Sequence, residues 1–232
     1  MILITSVSPT HKNKDIQQKA VDSWVKNGFY PISINHTSEN VPIYEGLNYV
    51  KTDKEFRDIY GKTYLPIDAI FEYMRNSDEQ NFCICNSDIW FGEMTIYNSI
   101  IRKMQNNVLI GHRVDYDEMP EQGRLYLGGM DTFFINKKYL NLFPPSKFVL
   151  GQCHWDFWIP YKCATNGVNV LFLHNREFYH KKHELQYDNK SWINTANLLI
   201  EQEGLTKFRG KHGHATRFVY DRFKRNSRNI VL

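Results

Sequence analysis

The alternation of two hydrophobic periods along this chain limits its fold more than any other feature. Apolar runs of strand length occupy Met1 to Val7, Phe29 to Asn35, Asn81 to Trp90 and Val108 to Ile110. Between them, apolar residues recur at helical spacing: Ile16, Ala20, Val21, Trp24 and Val25; then Ile67, Ile70, Phe71 and Met74; then Ile96, Ile100, Ile101 and Met104. The punctuation agrees. Gly28 stands where a left-handed helix cap is expected, Pro66 opens a helix where a missing N–H costs nothing, and Pro31 lies near the start of its strand. Strand and helix in strict alternation predict a largely parallel sheet with helices on both faces. Farther on, Thr132 to Ile135 and Val170 to Leu173 add strands, and Trp155 to Asn166 adds a helix ended by Gly167. The tract from Thr37 to Lys62 is less regular, with a short helix over Lys54 to Tyr60, and Asp115 to Gln122 is acidic and irregular.

A chain of 232 residues suffices for one large α/β domain. No stretch approaches the roughly 18 uncharged apolar residues of a membrane span. The first residues lack a basic leader and a small-residue cleavage site, so they are expected to form a strand of a cytoplasmic protein. The four cysteines fit thiols in a reducing compartment: Cys83 and Cys85 alternate within one strand, and Cys153 and Cys163 lie on a separate helical stretch. Charge is uneven. The net +4 combines +7 from Leu205 onward with −3 elsewhere. That basic segment interleaves Phe208, Phe218, Tyr220 and Phe223 with eight Lys and Arg, a composition able to follow a nucleic-acid backbone or an anionic membrane surface, or to form a solvated helix face. We therefore divide the chain into residues 1–204 and a basic C-terminal segment, residues 205–232.

Chemistry concentrates where the third apolar run stops. Asn81 to Trp90 is broken by Asn86-Ser87-Asp88, which puts a carboxylate at a strand end, and open α/β sheets bind ligands just beyond the carboxyl ends of their strands. A hard cation such as Mg2+ or Mn2+ takes carboxylate and amide oxygens and shares its other positions with water and phosphate. The competing assignment is a polar turn. Later in the chain, Tyr126-Leu127-Gly128-Gly129-Met130-Asp131 is expected to be a loop feeding the Thr132 strand, its paired glycines allowing close backbone approach to a ligand. Asp156 falls in the first turn of the Trp155 helix, where an acid also serves as a cap or dipole partner. His180 and His183 follow the last strand.

With these pieces in order, residues from about Ile2 to Trp192 resemble the GT-A group of nucleotide-diphospho-sugar transferases: a single Rossmann-like domain, α/β, with a mostly parallel central sheet and helices on both faces. The resemblance implies a glycosyltransferase that moves a sugar from a nucleotide-diphosphate donor, a UDP-sugar foremost, to a glycan or other hydroxyl acceptor, assisted by a divalent metal. It implies nucleotide contacts from Thr5, Ser6 and Val7 after the first strand and from Asn35 and His36 after the second, with Asp68, Asn86, Ser87, Arg113, Gly128 and Gly129 completing the donor pocket. The Asp-x-Asp metal motif of the group corresponds to Asn86-Ser87-Asp88, so Asp88 would carry the metal or ribose contact, and His180 or His183 would complete the metal shell or contact the diphosphate. Asp156 is the implied general base, and Asp131 takes sugar hydroxyls or shares the catalytic role. Lys181, Lys182 or Arg113 would help to neutralise the leaving diphosphate.

Three alternatives stay open on the residues alone. The acceptor could be a nucleic acid, met by the basic aromatic segment. A nucleotidyltransferase would use a similar sheet, but Ser6-Val7-Ser8-Pro9-Thr10 lacks the glycines of a phosphate loop. The replaced first acid of the metal motif also fits a non-catalytic module that binds nucleotide sugars.

Overall fold

The computed structural model describes residues 1–10, 14–183 and 188–232. Among these residues ten strands form one sheet: Ile2–Thr5 (β1), Tyr30–His36 (β2), Asn48–Thr52 (β3), Asn81–Cys85 (β4), Ile89–Phe91 (β5), Asn107–Tyr116 (β6), Arg124–Asn136 (β7), Asn169–Leu173 (β8), Phe178–Lys181 (β9) and Ser227–Ile230 (β10). The α-helices of the described residues are Lys14–Lys26 (α1), Arg57–Tyr60 (α2), Ile67–Asn76 (α3), Tyr97–Met104 (α4), Trp155–Thr165 (α5), Asn189–Gln202 (α6) and His212–Arg225 (α7). The strand order is β10-β8-β6-β7-β4-β1-β2-β3, with β5 and β9 paired together beside the far half of β6. Most neighbours are parallel. β7 is the exception within the main path, antiparallel to both β4 and β6.

Burial on both faces explains the near-continuous apolar runs of the central strands. Phe82, Ile84, Val108, Ile110, Phe133 and Ile135 face one core, closed by α3, α5, α6 and α7. Cys83, Cys85, Leu109, Phe134 and Leu171 alternate with them into a second core under α1 and α4. Cys83, Cys85 and Cys163 are buried thiols.

Several sequence expectations change here. The Asn81 to Trp90 run is two strands, split at Asn86-Ser87-Asp88: β4 stays in the central sheet, whereas β5 turns away to pair with β9. Asp115 lies inside β6, which pairs with β8 over its first half and with β9 over its second. The irregular tract after Thr37 contains β3, and α6 follows where no helix was expected. The Gly128-Gly129 stretch is part of β7. Its register jumps from Met130 opposite His112 to Tyr126 opposite Arg113, so Leu127, Gly128 and Gly129 form a bulge in the ladder.

The C-terminal segment is woven into this architecture. Phe223 of α7 is fully buried, with Phe218 and Tyr220 packed at the edge of the same core, and β10 extends the sheet in parallel beside β8. Lys207, Arg209, Lys211, Arg217, Arg222, Arg225 and Arg228 remain exposed. No helix among the described residues is long and apolar enough to cross a membrane.

Candidate active site

The turn that carries Asp88 is fixed from beneath. Gln17 of α1 donates to the Ser87 hydroxyl at 2.7 Å and accepts from the Tyr44 hydroxyl at 2.8 Å. The Ile89 N–H donates back to the Asn86 carbonyl, and the Trp24 indole donates to the Ile89 carbonyl. So held, Asp88 meets two histidines, His180 on β9 and His183 just beyond its end. His183 Nε2 lies 3.0 Å from Asp88 Oδ2, His180 Nε2 lies 3.7 Å from the same oxygen, and the two imidazole Nε2 atoms are 3.2 Å apart.

One ligand atom from each of Asp88, His180 and His183 falls within 4.8 Å of the others, a spacing suited to one cation. The donor set of two imidazoles and a carboxylate suits Mn2+ or a later transition metal better than Mg2+, which prefers an all-oxygen octahedron. The other nitrogen of His180, Nδ1, is 3.0 Å from Asp115 Oδ1. Imidazole ligands are commonly oriented by such an outer carboxylate. Electrostatics follow this geometry. Burial opposes the charge on Asp88, but His180 and His183 outweigh it and hold the carboxyl well below the usual range. Burial likewise opposes a charged His180, but Asp115 and Asp88 outweigh it and lift the ring to about 9.

A second group of side chains adjoins the first. Arg113 donates through Nε to Asp115 Oδ1 at 2.8 Å and through Nη1 to Asp131 Oδ2 at 2.7 Å. Asn86 Nδ2 donates to the other oxygen of Asp131 at 2.6 Å, and the Asn86 N–H donates to the Asp131 carbonyl at 3.2 Å. Asp156 enters from the first turn of α5 and accepts from the Phe157 N–H at 3.1 Å. Burial, reinforced by the charge of Asp131, pushes its carboxyl up to about 8. The residue before that helix is strained: His154 has φ of 74°, in the left-handed region that non-glycine residues seldom occupy. Its buried ring is pinned by Thr195 of α6 and Thr216 of α7, both at 2.9 Å, which holds the entry to α5 in place.

The nucleotide-side residues form a network of their own. Buried Asn35 donates to the Ser6 hydroxyl, the Val7 carbonyl and Glu39, and accepts from Ser33, whose hydroxyl in turn receives the Val7 N–H. Thr5 is buried beside them at the end of β1. His36 is engaged by the Ser38 hydroxyl at 2.7 Å. Asp68 is not brought to either group: both its oxygens accept from the Ser146 N–H, one also from the Ser146 hydroxyl, and it borders a separate cleft with Phe56, Pro145 and Leu198. Lys182 pairs with Asp117. Gly128 and Gly129 serve packing within the bulge. A Cβ on Gly129 would come within 2.8 Å of the Arg113 side chain, and one on Gly128 within 2.9 Å of the Tyr126 ring.

Sequence reasoning missed Asp115. Its position one residue from Val114 in an alternating run, on the same strand face as Arg113, was the available signal.

No family model matches the sequence, and no curated protein sequence matches it. Solved structures do match in shape. S. aureus TarS 1-349 in complex with UDP-GlcNAc gives a TM-score of 0.54 at 10% identity, over 86% of this chain and 65% of that one. The same protein in complex with UDP gives 0.52 at 10% identity, over 87% and 65%. A longer form of S. aureus TarS gives 0.53 at 9% identity, over 86% and 39%. The present chain thus spans somewhat under two thirds of the shorter TarS chain. At this identity the likeness is one of fold: the chain shares the fold of TarS.

Proposed function

We propose that this chain is a glycosyltransferase that takes a sugar from a nucleoside diphosphate, UDP foremost, and passes it to a hydroxyl acceptor with the help of a divalent cation. The observation that carries this reading is the convergence of Asp88, His180 and His183 within 4.8 Å beyond the end of β4. TarS, which shares the fold, forms complexes with UDP-GlcNAc and UDP, and this favours uridine in the donor.

The chemistry follows from charge and proton balance. Breaking the glycosidic bond leaves negative charge on the departing diphosphate, and a bound divalent cation supplies the neutralising charge there. Asp88, His180 and His183 would hold that cation, with Asp115 orienting His180. The acceptor hydroxyl must lose a proton as its oxygen bonds to the sugar carbon. Asp156 is suited to take it, because a carboxyl raised to about 8 binds a proton readily, and the minor ionised fraction present near neutral pH grows as pH rises towards 8. Asp131 has a different task. Each of its oxygens already accepts one strong hydrogen bond and keeps a further lone pair, which fits the orientation of a sugar or acceptor hydroxyl better than proton abstraction. Asn35, Ser6 and Val7 shape the nucleotide side.

Calorimetric titration with UDP, GDP, ADP and CDP, in Mn2+ and in chelator, tests the reading on the wild type and on Asp88→Ala. Mn2+-dependent binding of UDP that disappears in the variant is expected. Failure of all four nucleotides to bind would overturn the reading.

A further inference from the structure

We propose that Arg113 is a positioning residue that couples the cation-binding half of the site to its acidic half. Two carboxylates with different duties share this one guanidinium. Asp115, at 2.8 Å, orients His180; Asp131, at 2.7 Å, faces the sugar side with Asn86 on its other oxygen. The chain of contacts from Asp88 through His180, Asp115, Arg113 and Asp131 to Asn86 joins β9, β6, β7 and the turn after β4 without a break.

Three features of the structure are built around that guanidinium. Arg113 is mostly buried, and its cation lies 5.3 Å from the centre of the Tyr126 ring. The bulge at Leu127 to Gly129 offsets Tyr126 to the position opposite Arg113. Gly129 leaves the space through which the Arg113 side chain passes, since a Cβ there would meet its Cγ, Cδ and Nε at 2.8–2.9 Å. A guanidinium suits two carboxylates held in fixed positions, because its donors form a rigid planar fork, whereas lysine presents a compact charge on a flexible stem. The replaced acid of the metal motif fits the same arrangement. An Asp at position 86 would set a second carboxylate against Asp131, while Asn86 supplies a donor.

The inference rests on the reading of Asp88, His180 and His183 as cation ligands, and its test separates the two. Mn2+ affinity is measured by electron paramagnetic resonance of free Mn2+, without nucleotide, for wild type, Arg113→Gln, Arg113→Lys, Asp131→Asn and the Arg113→Gln/Asp131→Asn double variant. Removing a positive charge near a cation site would by itself tighten Mn2+ binding. Loss of a positioning residue would weaken it, and about 10–100-fold weaker binding is expected for Arg113→Gln, the usual scale for an outer-shell partner of a metal ligand. Arg113→Lys keeps the charge and should weaken binding as well. Asp131→Asn, nearly isosteric and not one of the three cation ligands, should weaken binding severalfold in the wild type and have no further effect in Arg113→Gln; a through-space charge effect would persist in both backgrounds. Wild-type or tighter Mn2+ binding by Arg113→Gln, or additive effects in the double variant, would overturn the coupling. The imidazole 15N resonances of His180 in metal-free protein give a second readout. They should move in Asp131→Asn and stay put when that change is made in Arg113→Gln. If the wild type binds no Mn2+, the cation reading fails, and these resonances alone decide whether Arg113 transmits between the two halves.

Discussion

The ends of β1 and β2 and the ends of β6 and β7 both gather polar side chains at the rim of one sheet, yet they are built on opposite principles. At β1 and β2 the network is mostly neutral and closed: the Asn35 amide nitrogen shares its two hydrogens among Ser6, Val7 and Glu39, its oxygen accepts from Ser33 of the same strand, and Ser6 and Val7 are thereby fixed. At β6 and β7 the network is ionic and open, with Arg113 between Asp131 and Asp115, His180 between Asp115 and Asp88, and Asp156 beside Asp131. A closed neutral network holds shape and responds little to pH or ions. An open ionic one exchanges protons and cations with what it binds, so its state depends on them.

The largest effect that would break this contrast concerns Asp156. Asp156→Asn removes the proposed base, and a loss of about 10²–10⁴-fold in kcat is expected, the usual range for general-base catalysis. The wild-type rate should rise with pH through about 8 and level off above, as the carboxyl loses its proton, and this limb should vanish in the variant. A pH–rate profile of sugar transfer or donor hydrolysis checks both points. A residual rate that kept the same limb would place the base elsewhere.

Next in size is Asp88→Ala, with an expected loss of about 10²–10³-fold in kcat/KM, comparable to removing one preorganised electrostatic group from an active site. Excess Mn2+ should not restore it. At the neutral end, Asn35→Ala should cost about 1–3 kcal/mol of stability, because buried partners lose their hydrogen bonds. It should leave Mn2+ affinity unchanged while weakening UDP. Chemical denaturation with parallel Mn2+ and UDP titrations measures that separation, and a large change in Mn2+ affinity would show that the two rims are not independent.

The same contrast governs what could be read in the sequence. The sheet was legible because strands buried on both faces are written as continuous apolar runs, and the helices because they show one apolar face. The turn at Asn86 to Asp88 was legible as a polar break at a strand end, whereas His180, expected after the last strand, lies within β9, with β10 still to follow. The antiparallel course of β7 was not, since nothing local marks strand direction. Nor was the bulge at Leu127 to Gly129, whose glycines looked like a ligand-approach loop until Arg113 was seen to fill the space above them. Asp115 was hidden for a related reason: its value comes from His180, 65 residues away in sequence, and only the β6–β9 pairing brings the two together. Asp68 shows the opposite error. An acid at a helix start near the nucleotide half is occupied instead by Ser146, across 78 residues.

The smallest predicted effect is thermodynamic, and the two ends of the ionic rim give it a shared sign. His180, raised to about 9, binds its proton more tightly folded than unfolded. The stability this confers on the metal-free protein is complete below the unfolded value of about 6.5 and is lost as pH rises through 9. Asp156, raised to about 8 from an unfolded value of about 3.9, follows the same rule: its ionisation opposes folding, so stability falls as pH climbs through that window. Metal-free protein should therefore lose stability steadily between about pH 6.5 and 9. Mn2+ displaces the proton from His180, so its affinity should rise over that same interval, and its presence should remove the histidine contribution to the slope while leaving that of Asp156. Thermal unfolding at several pH values, with and without Mn2+, reads both contributions, and Asp156→Asn should flatten what Mn2+ leaves. A slope that Mn2+ did not reduce would mean that the proton on His180 and the cation do not compete for one place, and the two imidazoles would then belong to the closed kind of network found at β1 and β2.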